Sequence, residues 1–293
     1  MKKTTHRLTH LTIPLFTALF ILILLLTTTQ AAATHHSLPT THPYTPTDQT
    51  ITGTLNGANY RIRIPDGWDG QTLVIYAHGY RAEGSEMTAE AAPGGAEGEA
   101  AFLAAGYAIA GSSYSQNGWA VEQGITDTLA LANLFTQTLT NPQRTILLGA
   151  SMGSAVAFES IEQYPDVYDG ALVLCGLGAG ASQNWDAGLA YALAYDVLFG
   201  WPESWGAIDD VKDDISLFTD VLPLAAPQPT NANNDQNLAE YEFIRLVLGL
   251  PEEDYYGLTG WAFVNLYYAT EARAELERRA GGGVVQNSDH FFT

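Results

Sequence analysis

The chain has 293 residues, is 46% hydrophobic and 15% charged, and carries a net charge of −20 with one cysteine. Its hydrophobic share excludes a disordered chain; the length suits one large domain or two small ones; and Cys175 alone allows no intramolecular disulfide, CxxC redox pair or cysteine-rich zinc site. Beyond residue 33 the chain keeps 9 Lys+Arg against all 32 Asp+Glu, a surface that repels phosphate backbones and anionic lipids, so no nucleic-acid partner is expected.

Lys2, Lys3 and Arg7 precede a 16-residue apolar run from Leu11 to Leu26, and small residues follow at Ala31 and Ala33. This is the pattern of a secretory signal peptide over residues 1–33, which predicts a secreted or periplasmic protein. The run is short for a bilayer span of about 20 residues; the alternative is an uncleaved segment anchoring the protein through residues 11–26. Residues 34–49, rich in Thr, Pro and His, read as a linker. Nothing fixes the geometry of His35, His36 and His42, which are taken as polar linker residues rather than metal ligands.

Residues 51–55 and 60–64 alternate apolar and polar around Asn56-Gly57, a hairpin signal. TLVIYA (72–77) predicts a buried strand that runs into His78-Gly79-Tyr80. Residues 89–105 read as partly helical with a break at Pro93-Gly94-Gly95, and YAIAG (107–111) as a strand. A helix over 125–139 ends at Asn141-Pro142. TILL (145–148), a helix over 154–164 and ALVLC (171–175) complete a strand–helix alternation that implies βαβ units and a parallel sheet. From 184 to 280 the pattern is helix upon helix, without a strand and with one Pro/Asn loop over 223–237. The expected organisation is therefore a core over 50–176, a helical cap over 177–283 and the start of a returning core segment over 284–293.

Gly149-Ala150-Ser151-Met152-Gly153 is the motif that carries chemistry. G-x-S-x-G alone is weak, but here a strand leads into it and a helix leaves it, the arrangement of a nucleophile elbow. A serine lifted above a sheet on so sharp a turn needs glycines two residues to either side. In a serine hydrolase one oxyanion N–H comes from the residue after the nucleophile, here Met152, and the second from the loop after an earlier strand, here Tyr80. His78 is tempting as a base; the preferred reading is that it holds the loop through hydrogen bonds.

With HGY, YAIAGSSYS and GASMGS in this order, the sequence resembles the α/β-hydrolase superfamily over roughly residues 50–176. The stretch 107–121 resembles its secreted bacterial esterase-like and peptidase-like members. The resemblance implies an α/β fold, a mostly parallel sheet with flanking helices and an inserted helical cap. It also implies a triad in the chain order serine, acid, histidine, acting on carboxylic esters or, less readily, on amide or peptide bonds. No metal or organic cofactor is required. The departure lies after Ser151, where His290 is the one histidine and the strand-like 284–285 and 291–292 are too short to close a sheet. Three accounts stand open: an incomplete, inactive chain lacking its last strands; an intact protein without the triad; or His290 serving Ser151, oriented by Asp289 or a cap carboxylate. Outside catalysis, the alternative is a hydrolase-like binding protein that uses its aromatic cap.

Other patterns weigh less. Residues 176–181 match G-x-G-x-x-A, but no strand follows to complete a dinucleotide unit, so a loop into the cap is expected. Gly94-Gly95 stands beside Glu97 and Glu99, which repel phosphate. Asp209, Asp210, Asp213 and Asp214 lack the Gly and spaced Glu of a calcium loop and read as a solvated acidic helix end. Cap aromatics such as Trp185, Trp205, Tyr267 and Tyr268 read mostly as the cap's own core, with a few expected over the serine to favour an apolar acyl substrate.

Overall fold

The computed structural model describes residues 48–178, 180–225, 235–249 and 261–285. The expected signal segment, most of the linker and His290 lie outside them. Strands β1 (Gln49–Leu55) and β2 (Ala58–Ile64) form the expected antiparallel hairpin. Asn56 and Gly57 take φ of 52° and 88°, the left-handed pair that lets a two-residue turn follow the strand twist. β1 starts at Gln49, and Arg63 pairs with Asp48, so the fold begins inside the segment read as linker.

The remaining sheet strands are β3 (Thr72–Ala77), β4 (Ala108–Ser112), β5 (Arg144–Ala150) and β6 (Gly170–Leu174). The sheet order is β1-β2-β4-β3-β5-β6. β3 pairs in parallel with β4 and β5, and β5 with β6, whereas β2 meets β4 antiparallel. β3 and β4 are buried along their whole length, as central parallel strands covered on both faces must be. One face packs Leu73, Ile75, Ala110 and Leu147 against Leu131 and Phe135 of helix α2 (Val121–Thr138) and Ala157 of helix α3 (Met152–Gln163). The other packs Val74, Tyr76, Ile109 and Leu148 against Ala91 and Ala92 of the preceding loop and against Leu103 of helix α1 (Gly95–Ala104). Among the described residues β6 is the outer strand, and its Leu172 is 55% exposed.

Beyond the sheet follow helices α4 (Ala181–Phe199), α5 (Leu222–Ala225), α6 (Asp235–Leu248), α7 (Trp261–Ala269) and α8 (Glu271–Ala280). They enclose a core of their own, built on Tyr191, Tyr195, Trp205, Ile215, Ile244 and Leu266. Three expectations need correction. A small hairpin, β7 (Gly206–Ala207) with β8 (Asp210–Val211), stands where no strand was expected. It is a two-residue ladder that opens at Gly206, at φ 86°, and turns at Ile208-Asp209, too short for any side-chain alternation. Asp209 and Asp210 therefore belong to this hairpin rather than to a helix end. The expected bounds of the 223–237 loop also shift: Pro223 lies in α5 and Asp235 opens α6, while residues 226–234 lie outside the described ones. Val284 and Val285 form no strand.

Candidate active site

Ser151 stands between β5 and α3 with φ 52° and ψ −122°, a conformation that costs a non-glycine residue of order 1–3 kcal/mol. The glycines around it are set by close approach. A Cβ on Gly149 would lie 2.8 Å from the Gly153 carbonyl carbon, and one on Gly153 would overlap the Ala77 carbonyl oxygen and come within 2.7 Å of that of His78. α3 thus starts directly against the end of β3, and this drives Ser151 out at the top of the sheet. The turn is held from both sides. The Ser151 N–H donates to the Leu174 carbonyl at 2.9 Å. The Ser154 hydroxyl donates to the Ser151 carbonyl at 2.6 Å and accepts from the Leu177 N–H at 2.8 Å.

The segment following β3 lies against this turn. A Cβ on Gly79 would sit 3.2 Å from Ser151 Cβ and 3.7 Å from its Oγ, so Tyr80, the next residue, adjoins the serine as its position in the sequence implies. Met152 is buried beneath, among Ala77, Tyr114, Ile125 and Val156. The structure therefore brings together all five residues singled out in the sequence: Gly149, Ser151, Met152, Gly153 and Tyr80.

His78 is only 3% exposed. Its Nδ1 donates to the Gly79 carbonyl at 2.7 Å, and its ring stacks on Tyr114 with centroids 3.9 Å apart. The Tyr114 hydroxyl in turn donates to the His78 carbonyl at 3.1 Å. This is the geometry of a loop strut, as expected for His78. Burial, aided by the Arg81 charge, pushes the imidazole down to about 4. Above pH 6.5 it is neutral in both folded and unfolded chains and has no effect on stability. As pH falls from about 6.5 to 4 the unfolded chain takes up a proton that the folded one refuses. Stability should then drop by about 3 kcal/mol in total. Urea unfolding at pH 7 and pH 4 should show this loss in the wild type and a smaller one in His78→Asn; equal losses would contradict it.

The helical segment brings some of the aromatics named in the sequence beside Ser151 and Tyr80. The Tyr268 phenol lies beside Ser151, and burial raises its pKa. Its ring packs edge-on against Trp185 at 5.6 Å, which meets Trp119 at 5.3 Å. Tyr80 lies 6.0 Å from Tyr267, whose phenol is pushed up to about 12, chiefly by burial. Beside Tyr80 opens a cleft of about 400 Å³ rimmed by Glu83, Asp213, Asp214, Glu271, Glu275 and Arg278. Among the described residues His78 is the one histidine, no group of three His, Cys, Asp or Glu is placed to hold a metal, and no helix is long and apolar enough to cross a membrane.

No protein-family model and no curated protein matches the chain. Solved structures similar to it include a carboxyl esterase from Bacillus coagulans, 12% identical over 75% of this chain and 71% of that one, with a TM-score of 0.36. A dienelactone hydrolase from Anabaena variabilis is 15% identical over 48% and 68%, TM-score 0.36. A protein from Agrobacterium vitis is 22% identical over 43% and 49%, TM-score 0.29. This chain thus spans about half the length of the Agrobacterium protein. Four parallel strands in the order β4-β3-β5-β6, flanked by an antiparallel hairpin, place the carboxyl end of β5 at a strained serine turn.

Proposed function

We propose that the protein is a serine hydrolase that cleaves carboxylic esters through Ser151. The observation that carries this reading is the strained Ser151 turn with Gly79 packed against it. Ser151 Oγ attacks the ester carbonyl carbon, and its proton passes to a base. The N–H groups of Tyr80 and Met152 stabilise the negative charge that develops on the carbonyl oxygen. The C–O bond breaks, the alcohol leaves with the proton, and water releases the acid from the acyl-serine. His78, held by Gly79 and Tyr114, is assigned to the loop, so the base comes from outside the described residues. Tyr268 beside Ser151, backed by the buried Trp185 and by Trp119, gives the site an aromatic side suited to an apolar acyl group. In this reading the helical segment is the cap, and residues 1–33 export the enzyme.

A panel of p-nitrophenyl esters of rising acyl length, set beside p-nitroanilide peptides, tests the assignment. Ester turnover above the peptide rate, greater for apolar acyl groups, is expected. Faster cleavage of the anilides would move the protein to the peptidases. The lack of a free histidine among the described residues favours one second reading, a non-catalytic binding protein with the same pocket. Release of no nitrophenol from any ester would support it.

A further inference from the structure

We propose that Glu275 is a positioning residue for the oxyanion loop, joining the helical segment to Tyr80; the inference rests on the Ser151 and Tyr80 roles given above. Glu275 lies in α8 and is 4% exposed. A carboxylate so deeply buried is costly unless fully paired. One partner is in its own helix, Arg279 one turn on. The others come from the sheet body. The Trp119 N–H donates to Oε2 at 3.1 Å and Oε1 at 3.3 Å, and the Tyr80 hydroxyl donates to Oε2 at 3.3 Å. Arg279 also donates to the Asn117 carbonyl at 2.6 Å and to Glu83 at 3.1 Å.

The loops are shaped to receive this carboxylate. Gly118 has φ 85°, and a Cβ there would lie 2.9 Å from Glu275 Cδ. The Gly118 N–H donates to the Arg81 carbonyl at 2.7 Å, tying the 113–119 loop to the segment that holds Tyr80. One carboxylate therefore fixes three pieces of chain: α8, the 113–119 loop and Tyr80. A surface ion pair would need no contact with Tyr80. Here the contact falls on the residue whose N–H faces the developing oxyanion, and fixing the phenol end of the side chain limits how far that N–H can swing. Oxyanion donors act only when held in place before the reaction, so loosening the anchor should slow turnover and leave substrate binding nearly unchanged.

The experiment is a double-mutant cycle on ester turnover with Glu275→Ala and Tyr80→Phe, the latter keeping the backbone N–H. Each single change is expected to lower kcat by about 10- to 100-fold, less than the roughly 10²- to 10³-fold cost of losing an oxyanion donor outright, with KM changed less than about threefold. The double variant should be no slower than the worse single one. Glu275→Gln, which keeps one acceptor oxygen, should recover part of the loss, and with Tyr80→Phe it replaces the cycle if Glu275→Ala does not fold. Multiplying losses, an unchanged kcat or an effect on KM alone would overturn the positioning role while leaving Ser151 in place. A wild type inert towards esters and towards a fluorophosphonate would overturn the Ser151 reading, and this inference with it.

Discussion

Ser151→Ala should abolish measurable ester turnover, a fall of at least about 10³-fold, since removing the nucleophile of such a site forfeits the covalent route. The change deletes one oxygen. Alanine bears the same left-handed backbone penalty as serine at φ 52°, and the bonds holding the turn run through the backbone of Ser151 and the hydroxyl of Ser154. The melting temperature should therefore stay within about 2 °C of the wild type, a stability change well under 1 kcal/mol. Turnover by Ser151→Ala at a tenth of the wild-type rate would place the chemistry elsewhere, and a large drop in melting temperature would make the serine a structural residue.

Gly153→Ala is the second large effect, and it falls on the fold. The added methyl would overlap the Ala77 carbonyl oxygen and lie 2.7 Å from the His78 oxygen. Both obstacles are backbone, at the end of a fully buried strand, and cannot rotate aside. Relief requires α3 to move off β3, which opens the contact among Ala77, Met152 and Val156. A loss of about 3–5 kcal/mol is expected from such overpacking, a large part of the 5–15 kcal/mol that holds a typical domain. Soluble yield and urea midpoint should fall steeply. Gly282→Ala, where a Cβ meets nothing within 4 Å, should be silent. Equal midpoints for the two variants would contradict the close packing at the turn.

The parts of the molecule legible in the sequence are those whose cause is local. The Asn56-Gly57 turn, the apolar strands TLVIYA and YAIAG and the glycines flanking Ser151 each record a constraint acting over a few residues. His78 could be read as a strut because it ends a buried strand beside a glycine. The small hairpin at 206–211 was not legible, because two-residue strands held by backbone bonds impose no side-chain pattern. Glu275 and Tyr80 lie 195 residues apart, and a carboxylate in the charged run of α8 looks like any solvated helix face until packing buries it. Tyr268 was visible only as one aromatic among many; its meeting with Ser151 follows from the path of the helical segment.

The central claim is that Ser151 is a nucleophile. Incubating the full chain with a fluorophosphonate, digesting it and mapping the adduct by mass spectrometry tests this most directly. The account predicts one adduct, on the Ser151 peptide, absent from Ser151→Ala. An adduct on another residue, or none on the folded wild type, would contradict it.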